Sequence, residues 1–357
     1  MKLLFVIADI TTKGGTEKAT ITNANKFCEE GHNVTAISLF KANDRPTQLK
    51  RTINTVFILD KKYSIELGAY KRFSTLLHAI IKLKKSNIDW TSYDIIIGEA
   101  FLPNFVLWLL GQSGRVIACE HFKYDLYSPF LTNIRNCIYR KFRTVVSLTQ
   151  SATDKFIANG VNAVTIPNMV PLLPSYEHSQ NKRIITVGRL SHEKGFDLLI
   201  QTLPRVKELY PDWKIYHYGE GPLLNELKTL AKSLGVSDYI YFKGYSSNIR
   251  KELINSSILV MPSRHEGFPL VLLEAMICNI PVIAYACSKG PIELLSDNCG
   301  HLVAPESING MTDAICQTIN NENGRIEMAN NAFKKVMLYT PDRIYGKWME
   351  LFRTFNK

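Results

Sequence analysis

Glu266 and Glu274 bracket a stretch of this chain in which acids, a turn and an apolar run coincide: P-S-R-H-E-G-F-P-L-V-L-L-E, Pro262 to Glu274. Leu270, Val271, Leu272, Leu273, Ala275, Met276 and Ile277 surround Glu274 in sequence, which predicts a mostly buried helix. A buried carboxylate without a partner is costly, so Glu274 needs one. Pro269 suits the first turn of that helix. Glu266 and Gly267 then fall in the loop before it, where free backbone N–H groups and the helix dipole favour an anion. Such an arrangement suits half of a site for a polyol and a phosphate. The plain alternative is a structural ion pair at Glu274 and a solvated acid at Glu266.

A second group lies in G-R-L-S-H-E-K-G, Gly188 to Gly195, where Arg189 and Lys194 sit between two glycines. A guanidinium and an ammonium in a loop leading into a helix can neutralise a diphosphate; solvated surface charge is the alternative. Near the N-terminus, D-I-T-T-K-G-G-T places Gly14 and Gly15 after an apolar run. A glycine turn there can press its backbone against a phosphate, yet the G-x-G-x-x-G spacing is absent, so a flexible loop explains the pair as well. His121 follows Glu120 at the end of another apolar run. A histidine in that position is more often a structural hydrogen-bonding group than a catalyst.

Alternating strands and helices must position these residues. Strands are predicted at 2–8, 33–40, 55–59, 94–98, 115–119 and 144–148, with helices between them, among them 17–30 and a basic one at 69–85. A second series begins with a strand at 183–187 and continues with strands at 213–218, 239–243, 257–261 and 281–285. A helix in this series repeats Phe196, Leu199, Leu203 and Val206 on one face, and Pro222 opens another. Helices at 309–320, 325–337 and 341–355 close the chain. Such alternation predicts mostly parallel sheets with helices on both faces and ligands at the carboxyl ends of the strands. In the N-terminal half that rim holds Asp9 to Gly15, Glu99, Glu120, His121 and Thr149. Between the two series, residues 169–182 carry two prolines and a polar tail without periodicity, the pattern of a linker. The expected division is therefore 1–168, linker 169–182, 183–340 and a C-terminal helix 341–357.

Composition excludes several classes. With 46% apolar and 21% charged residues over 357 positions, the chain has the make-up of a globular protein with room for two cores. The seven cysteines form no C-x-x-C pair, which argues for free thiols in a reducing compartment rather than disulfides or a zinc site. Lys2 and the apolar run to Ala8 mimic the start of a signal peptide, but Asp9 ends the run and no small-residue cleavage site follows. The longest apolar candidate for a membrane span, 269–286, is interrupted by Glu274, Asn279 and Pro281. Charge is uneven: residues 1–168 hold 22 Lys and Arg against 13 Asp and Glu, net +9 of the chain's +11. Lys61, Lys62, Lys71, Arg72, Lys82, Lys84 and Lys85 gather around Tyr63, Tyr70 and Phe73, offset only by Asp60 and Glu66. Arg135, Arg140, Lys141 and Arg143 gather around Tyr139 and Phe142. Basic residues interleaved with aromatic ones suit an anionic membrane surface; solvated helix faces are the alternative.

Taken together, G-R-L-S-H-E-K-G, G-E-G-P, P-S-R-H-E-G-F-P-L-V-L-L-E-A-M and I-P-V-I-A, in this order, resemble the large retaining glycosyltransferase family of the GT-B fold. That family serves lipopolysaccharide, O-antigen, capsule and glycan assembly in bacteria. Gly14-Gly15 and Glu120-His121 extend the resemblance over nearly the whole chain. It implies two Rossmann-like α/β domains facing a central cleft and a nucleotide-sugar donor held mainly by the C-terminal one. Arg189 and Lys194, beside Gly188, would hold the diphosphate and offset its charge as the glycosidic bond breaks. Glu274 would accept ribose hydroxyls. Glu266, with Gly267, Phe268, Pro269 and Leu270, would face the donor sugar. Gly14 and Gly15 would approach the diphosphate, and His121 the sugar. Glu266, His121, Arg189 and Lys194 are thus the expected catalytic set. No D-x-D occurs, consistent with a metal-independent enzyme that uses no cofactor. The family often has an acid near Cys287 or Ser288; its absence leaves the sugar contacts of that loop open.

The resulting expectation is a cytoplasmic enzyme, peripheral on the inner face of the cell membrane. It would move a hexose or N-acetylhexosamine from a UDP-sugar to a lipid-linked glycan acceptor. A GDP-mannose-dependent transferase and a sugar-nucleotide epimerase of the same fold are the enzymatic rivals. A basic nucleic-acid-binding module is the non-enzymatic one, suggested by charge alone and without a recognition signature.

Overall fold

A computed structural model describes residues 1–63, 69–171, 179 and 181–355. The chain divides into two compact units, Met1–Pro171 with Pro341–Lys357, and Leu172–Thr340. Glu66 and most of the anticipated linker lie outside the described residues. Met169 and Val170, expected to begin that linker, are instead buried, with Met169 in the first unit's core beside Ile166.

The first unit holds a seven-stranded sheet: β1 (Lys2–Ile7), β2 (Asn33–Ser38), β3 (Asn54–Phe57), β4 (Ile95–Glu99), β5 (Val116–Glu120), β6 (Thr144–Ser147) and β7 (Ala163–Thr165). Its order is β3-β2-β1-β4-β5-β6-β7, every neighbouring pair parallel. Apolar residues cover both faces. Leu3, Phe5, Ile95 and Ile97 pack to one side, and Leu4, Val6, Ile96 and Val116 to the other. This two-sided burial explains why the central strands read as near-continuous apolar runs.

The second unit holds β8 (Arg183–Val187), β9 (Lys214–Tyr218), β10 (Ile240–Phe242), β11 (Ile258–Met261), β12 (Val282–Tyr285) and β13 (His301–Val303). The order is β10-β9-β8-β11-β12-β13, again parallel throughout. The three-residue edge strands β7 and β13 are absent from the sequence reading; runs that short carry no periodicity to distinguish them from loop.

Each sheet reverses its order once, between β1 and β4 in the first unit and between β8 and β11 in the second. Connections leave such a point in opposite directions, so the carboxyl ends of those strands open a crevice suited to a ligand. The loop after β1 carries Asp9 to Gly14 and β4 ends on Glu99; the loops after β8 and β11 carry Gly188 to Lys194 and Pro262 to Glu266.

The helix Pro341–Arg353 belongs to the first unit. Ile344, Trp348, Leu351 and Phe352, spaced on one helical face, are buried in the core that holds Leu3 and Phe5. Phe27 stacks on Phe352 at 5.6 Å and meets Trp348 edge-on at 6.0 Å. Large apolar side chains buried in this way stabilise by about 1.5–3 kcal/mol each. Lys26 pairs with Asp342 and with Glu30 at the rim of this contact.

Candidate functional site

In the second unit, β8 ends at Val187 and Gly188 N–H donates to Tyr218 C=O of the neighbouring strand at 3.0 Å. The chain then makes a single 3-10 turn, His192–Lys194, which Gly195 ends in the left-handed region at φ +64° before the helix Phe196–Leu209. Gly195 lies against the end of β11: a Cβ there would sit 2.0 Å from the Pro262 carbonyl oxygen. Backbone N–H of Arg264 donates to Glu193 C=O at 2.9 Å. The two loops of the crevice are therefore joined main chain to main chain.

Side chains complete the junction. Lys194 Nζ donates to Glu266 Oε1 at 2.8 Å, and Ser263 Oγ donates to the same oxygen at 2.7 Å. Glu266 retains only 10% side-chain exposure and Lys194 28%, so this charge pair is mostly withdrawn from water. Arg264 grips Asp197 with two parallel hydrogen bonds of 2.7 Å and reaches Glu306 at 3.2 Å. Burial pushes the Asp197 carboxyl up, but the hydrogen bonds and charge of Arg264 outweigh that and hold it below the usual range. The Arg264–Asp197 clamp does not stand out in sequence, because Arg264 lies on the loop after β11 and Asp197 in the helix Phe196–Leu209; Ser263, on the same loop as Glu266, carries no local signal of its own. Beneath the Gly188 turn, His217 is buried edge-on to Phe196 at 4.4 Å. Burial lowers its imidazole to about 3, so it sits in the fold as a neutral ring.

Arg189 is exposed on its loop. Gly267 is half-buried, and Phe268 and Pro269 are buried, Phe268 against Tyr339 at 5.6 Å. Gly290 packs on this turn; a Cβ there would lie 2.0 Å from the Gly267 carbonyl oxygen. Pro269 caps the helix Leu270–Ile277 from outside, at φ −72° and ψ 110°, rather than occupying its first turn. Glu274 is half-buried, not enclosed as its apolar neighbours suggested. Leu272, Leu273, Ala275, Met276 and Ile277 take the inner faces, while Leu270, Val271 and Glu274 share the half-open one, as i, i+3 and i+4 spacing requires. The structure thus joins Lys194 to Glu266 and sets Glu274 on the accessible side of the adjoining helix.

In the first unit, Gly14 caps the helix Gly15–Glu29. Gly15, two residues earlier than the expected helix start, has nothing within 4 Å of where a Cβ would be. Asp9 is buried, its Oδ1 accepting from Thr11 N–H at 2.9 Å and Thr11 Oγ1 at 2.6 Å. His121 Nε2 lies 2.5 Å from Glu99 Oε2, both side chains nearly enclosed. Burial disfavours the imidazolium, but Glu99, Glu120 and Glu17 together raise its pKa above the ordinary value. Because Glu17 stands in the first turn of the helix that Gly15 begins, Gly14, Gly15 and His121 share one rim.

Arg135 corrects the surface expected around it. It is fully buried, its guanidinium 4.6 Å from the Tyr124 ring centroid and 4.9 Å from that of Phe156, and 3.9 Å from Glu120. Tyr139 and Phe142 are buried too. On this helix, Pro129–Tyr139, the exposed side chains include Phe130, Leu131 and Ile134. The periodic match of Arg135 to Tyr139 and Phe142 marks an inward face.

The profile described as "Glycosyl transferases group 1" matches residues 174–335. The amylovoran biosynthesis glycosyltransferase AmsD of Erwinia amylovora is 27% identical over 366 residues, covering 98% of this chain and 99% of its own. Residues 174–335 of this chain are a group 1 glycosyltransferase domain. Campylobacter jejuni supplies another relative, 25% identical over 98% of both chains, named GalNAc-alpha-(1->4)-GalNAc-alpha-(1->3)-diNAcBac-PP-undecaprenol alpha-1,4-N-acetyl-D-galactosaminyltransferase. The glycosyltransferase also shares its fold with a variant of S. aureus TarM, crystallised with fondaparinux, alpha-GlcNAc-glycerol and UDP. That likeness has a TM-score of 0.82 at 17% identity, over 99% of this chain and 100% of TarM. The fold of the glycosyltransferase is accordingly GT-B, an α/β architecture of two parallel-sheet units. All seven of its cysteines are free. Among the described residues, no helix is long and apolar enough to cross a membrane.

Proposed function

We propose that this glycosyltransferase moves a hexose or N-acetylhexosamine, with retention, from a UDP-sugar to a lipid-linked glycan in bacterial surface polysaccharide synthesis. The observation that carries the reading is the Lys194–Glu266–Ser263 junction at the reversal point of the second sheet. A cation held there suits the departing diphosphate, and a carboxylate held by that cation suits sugar hydroxyls. In this reading Lys194 and Arg189 offset the charge of the leaving group, and Glu266 with the backbone of Gly267 and Phe268 orients the sugar. Glu274 receives the ribose, and His121 with the Gly14-Gly15 turn serves the donor from the first unit. Charge on the diphosphate is met by side chains, and transfer needs no metal. UDP in the TarM structure and undecaprenol diphosphate in the name of the C. jejuni relative support the donor and the acceptor class.

The test is donor consumption against a panel of UDP-, GDP- and ADP-sugars, with and without an undecaprenyl-diphosphate glycan and with EDTA present. Acceptor-dependent release of UDP is the expected outcome. Selective use of GDP-mannose would move the assignment to a mannosyltransferase, and isomerisation of the donor without acceptor would move it to an epimerase.

The membrane part of the proposal rests on the helix Ala69–Lys85. Tyr70 and Phe73 are 83% and 67% exposed, and Leu77 and Ile81 continue the stripe at helical spacing. Lys71, Lys82, Lys84 and Lys85 lie exposed along the same helix. Apolar side chains entering the headgroup boundary between lysines suit an anionic leaflet. Vesicles containing phosphatidylglycerol should bind the protein at least about tenfold tighter than pure phosphatidylcholine ones, and Phe73→Asp should remove most of that binding. Equal binding to both vesicles sinks the electrostatic contribution.

A further inference from the structure

We propose that Glu99 is the positioning residue for His121, holding its Nε2 so that Nδ1 is presented as the ring's donor toward an oxygen of the nucleotide-sugar. The ligand in this inference rests on the transferase reading; the coupling of the two residues does not. Three observations carry it. Glu99 is the last residue of β4 and His121 follows the last residue of β5, the neighbouring strand, so the sheet itself sets the two side by side. Their contact, Nε2 to Oε2, is 2.5 Å, and a proton must lie in it. The second oxygen of Glu99 is buried without a hydrogen-bond partner, which leaves the imidazole as the group that compensates this carboxylate.

The backbone reinforces the arrangement. Ala100, next to Glu99, stands at φ 72° and ψ 170°, a region that glycine alone occupies without strain. Its N–H donates to Cys119 C=O at 2.9 Å. The chain is thereby turned sharply into the helix Phe101–Leu109, leaving Glu99 at the very end of its strand. Strain of this kind persists where surrounding structure holds it, and it gathers at functional sites.

Charges facing the ring point the same way. Glu99 on β4, Glu120 on β5 and Glu17 on the helix Gly15–Glu29 all favour its protonated form. With Nε2–H committed to Glu99, an imidazolium has Nδ1–H left to give. A neutral ring with the same Nε2–H would offer a lone pair instead, so the charge state decides whether His121 donates or accepts.

The experiment is an NMR titration of the full chain labelled with 13C at histidine Cε1. The His121 signal is assigned by its loss in His121→Asn, and wild type is compared with Glu99→Gln and Glu99→Asp. The same proteins are run through a kcat/KM pH profile with the best donor. We expect the His121 midpoint to lie above the ordinary histidine range in wild type, to fall in Glu99→Gln and to recover in Glu99→Asp. The alkaline limb of the profile should move with it, with a loss of about tenfold or more at alkaline pH in Glu99→Gln. An unchanged midpoint in Glu99→Gln overturns the proposal, as does an activity loss uniform across pH. Where the wild type turns over no nucleotide-sugar, the transferase reading fails, and the NMR titration alone upholds or overturns the coupling.

Discussion

Lys194→Ala is expected to lower kcat/KM for the nucleotide-sugar about 10²–10³-fold, the usual cost of removing one preorganised donor from a developing negative charge. Two losses combine in that figure. On the proposed function, the ammonium that meets the departing diphosphate is gone, and Glu266 keeps the Ser263 hydroxyl on Oε1. A mostly buried carboxylate that loses its cation drifts or takes up a proton. On the same proposal, the residue assigned to the sugar is then displaced along with the one assigned to the leaving group. Because the two act as a unit, Lys194→Ala and Glu266→Gln together should cost little more than the worse of the two alone. Lys194→Arg retains charge but not the compact geometry of an ammonium, and should recover only part of the activity. Steady-state kinetics on purified, folded variants decide the matter. A loss within about threefold for Lys194→Ala would remove Lys194 from the catalytic set, since a single lost donor of this kind costs far more.

Gly195→Ala should act on stability, by about 2–4 kcal/mol. Two effects coincide at this position. An alanine must hold φ near +64°, which costs on the order of 1 kcal/mol for a side chain with a Cβ. The Cβ must also find room where the Pro262 carbonyl oxygen stands 2.0 Å away. The atom it meets is backbone rather than a flexible side-chain end, so the loops after β8 and β11 must separate. The Lys194–Glu266 contact and the backbone bond from Arg264 to Glu193 would separate with them. The expected result is a lower denaturant midpoint together with loss of turnover. Gly15→Ala serves as the control, because its Cβ position is open and its stability should change by less than about 0.5 kcal/mol. A wild-type midpoint for Gly195→Ala would show that the loops do not meet as closely as described.

The architecture was legible because burial on both faces leaves an unmistakable mark. A strand covered by helices on each side must be mostly apolar, and β1, β4, β5, β11 and β12 are written that way. Carboxyl-end loops could then be located by counting forward from each run, which is how Glu266, Lys194, Arg189 and His121 became candidates. The two-residue disagreement at Gly15 and the single-residue one at Pro269 come from capping, where backbone geometry decides the terminus and side-chain pattern is silent.

Other assignments needed the third dimension. Arg135 reads as surface charge in a basic cluster, yet it is enclosed by the Tyr124 and Phe156 rings beside Glu120. The composition of a helix does not say which of its faces turns inward. Glu274 reads as buried, yet a helix as short as Leu270–Ile277 can leave one side half-open whatever the hydropathy of its neighbours.

Sequence by itself determined two parallel α/β units and named candidate loops at their carboxyl ends, since local periodicity and glycine or proline punctuation encode these directly. Tertiary structure alone decided the pairings: Lys194 with Glu266, Arg264 with Asp197, Glu99 with His121. Each joins residues from separate strands or loops, brought together only at the carboxyl edge of a sheet. The order of strands that sets them side by side arises from packing across the whole unit, which no local stretch of residues records.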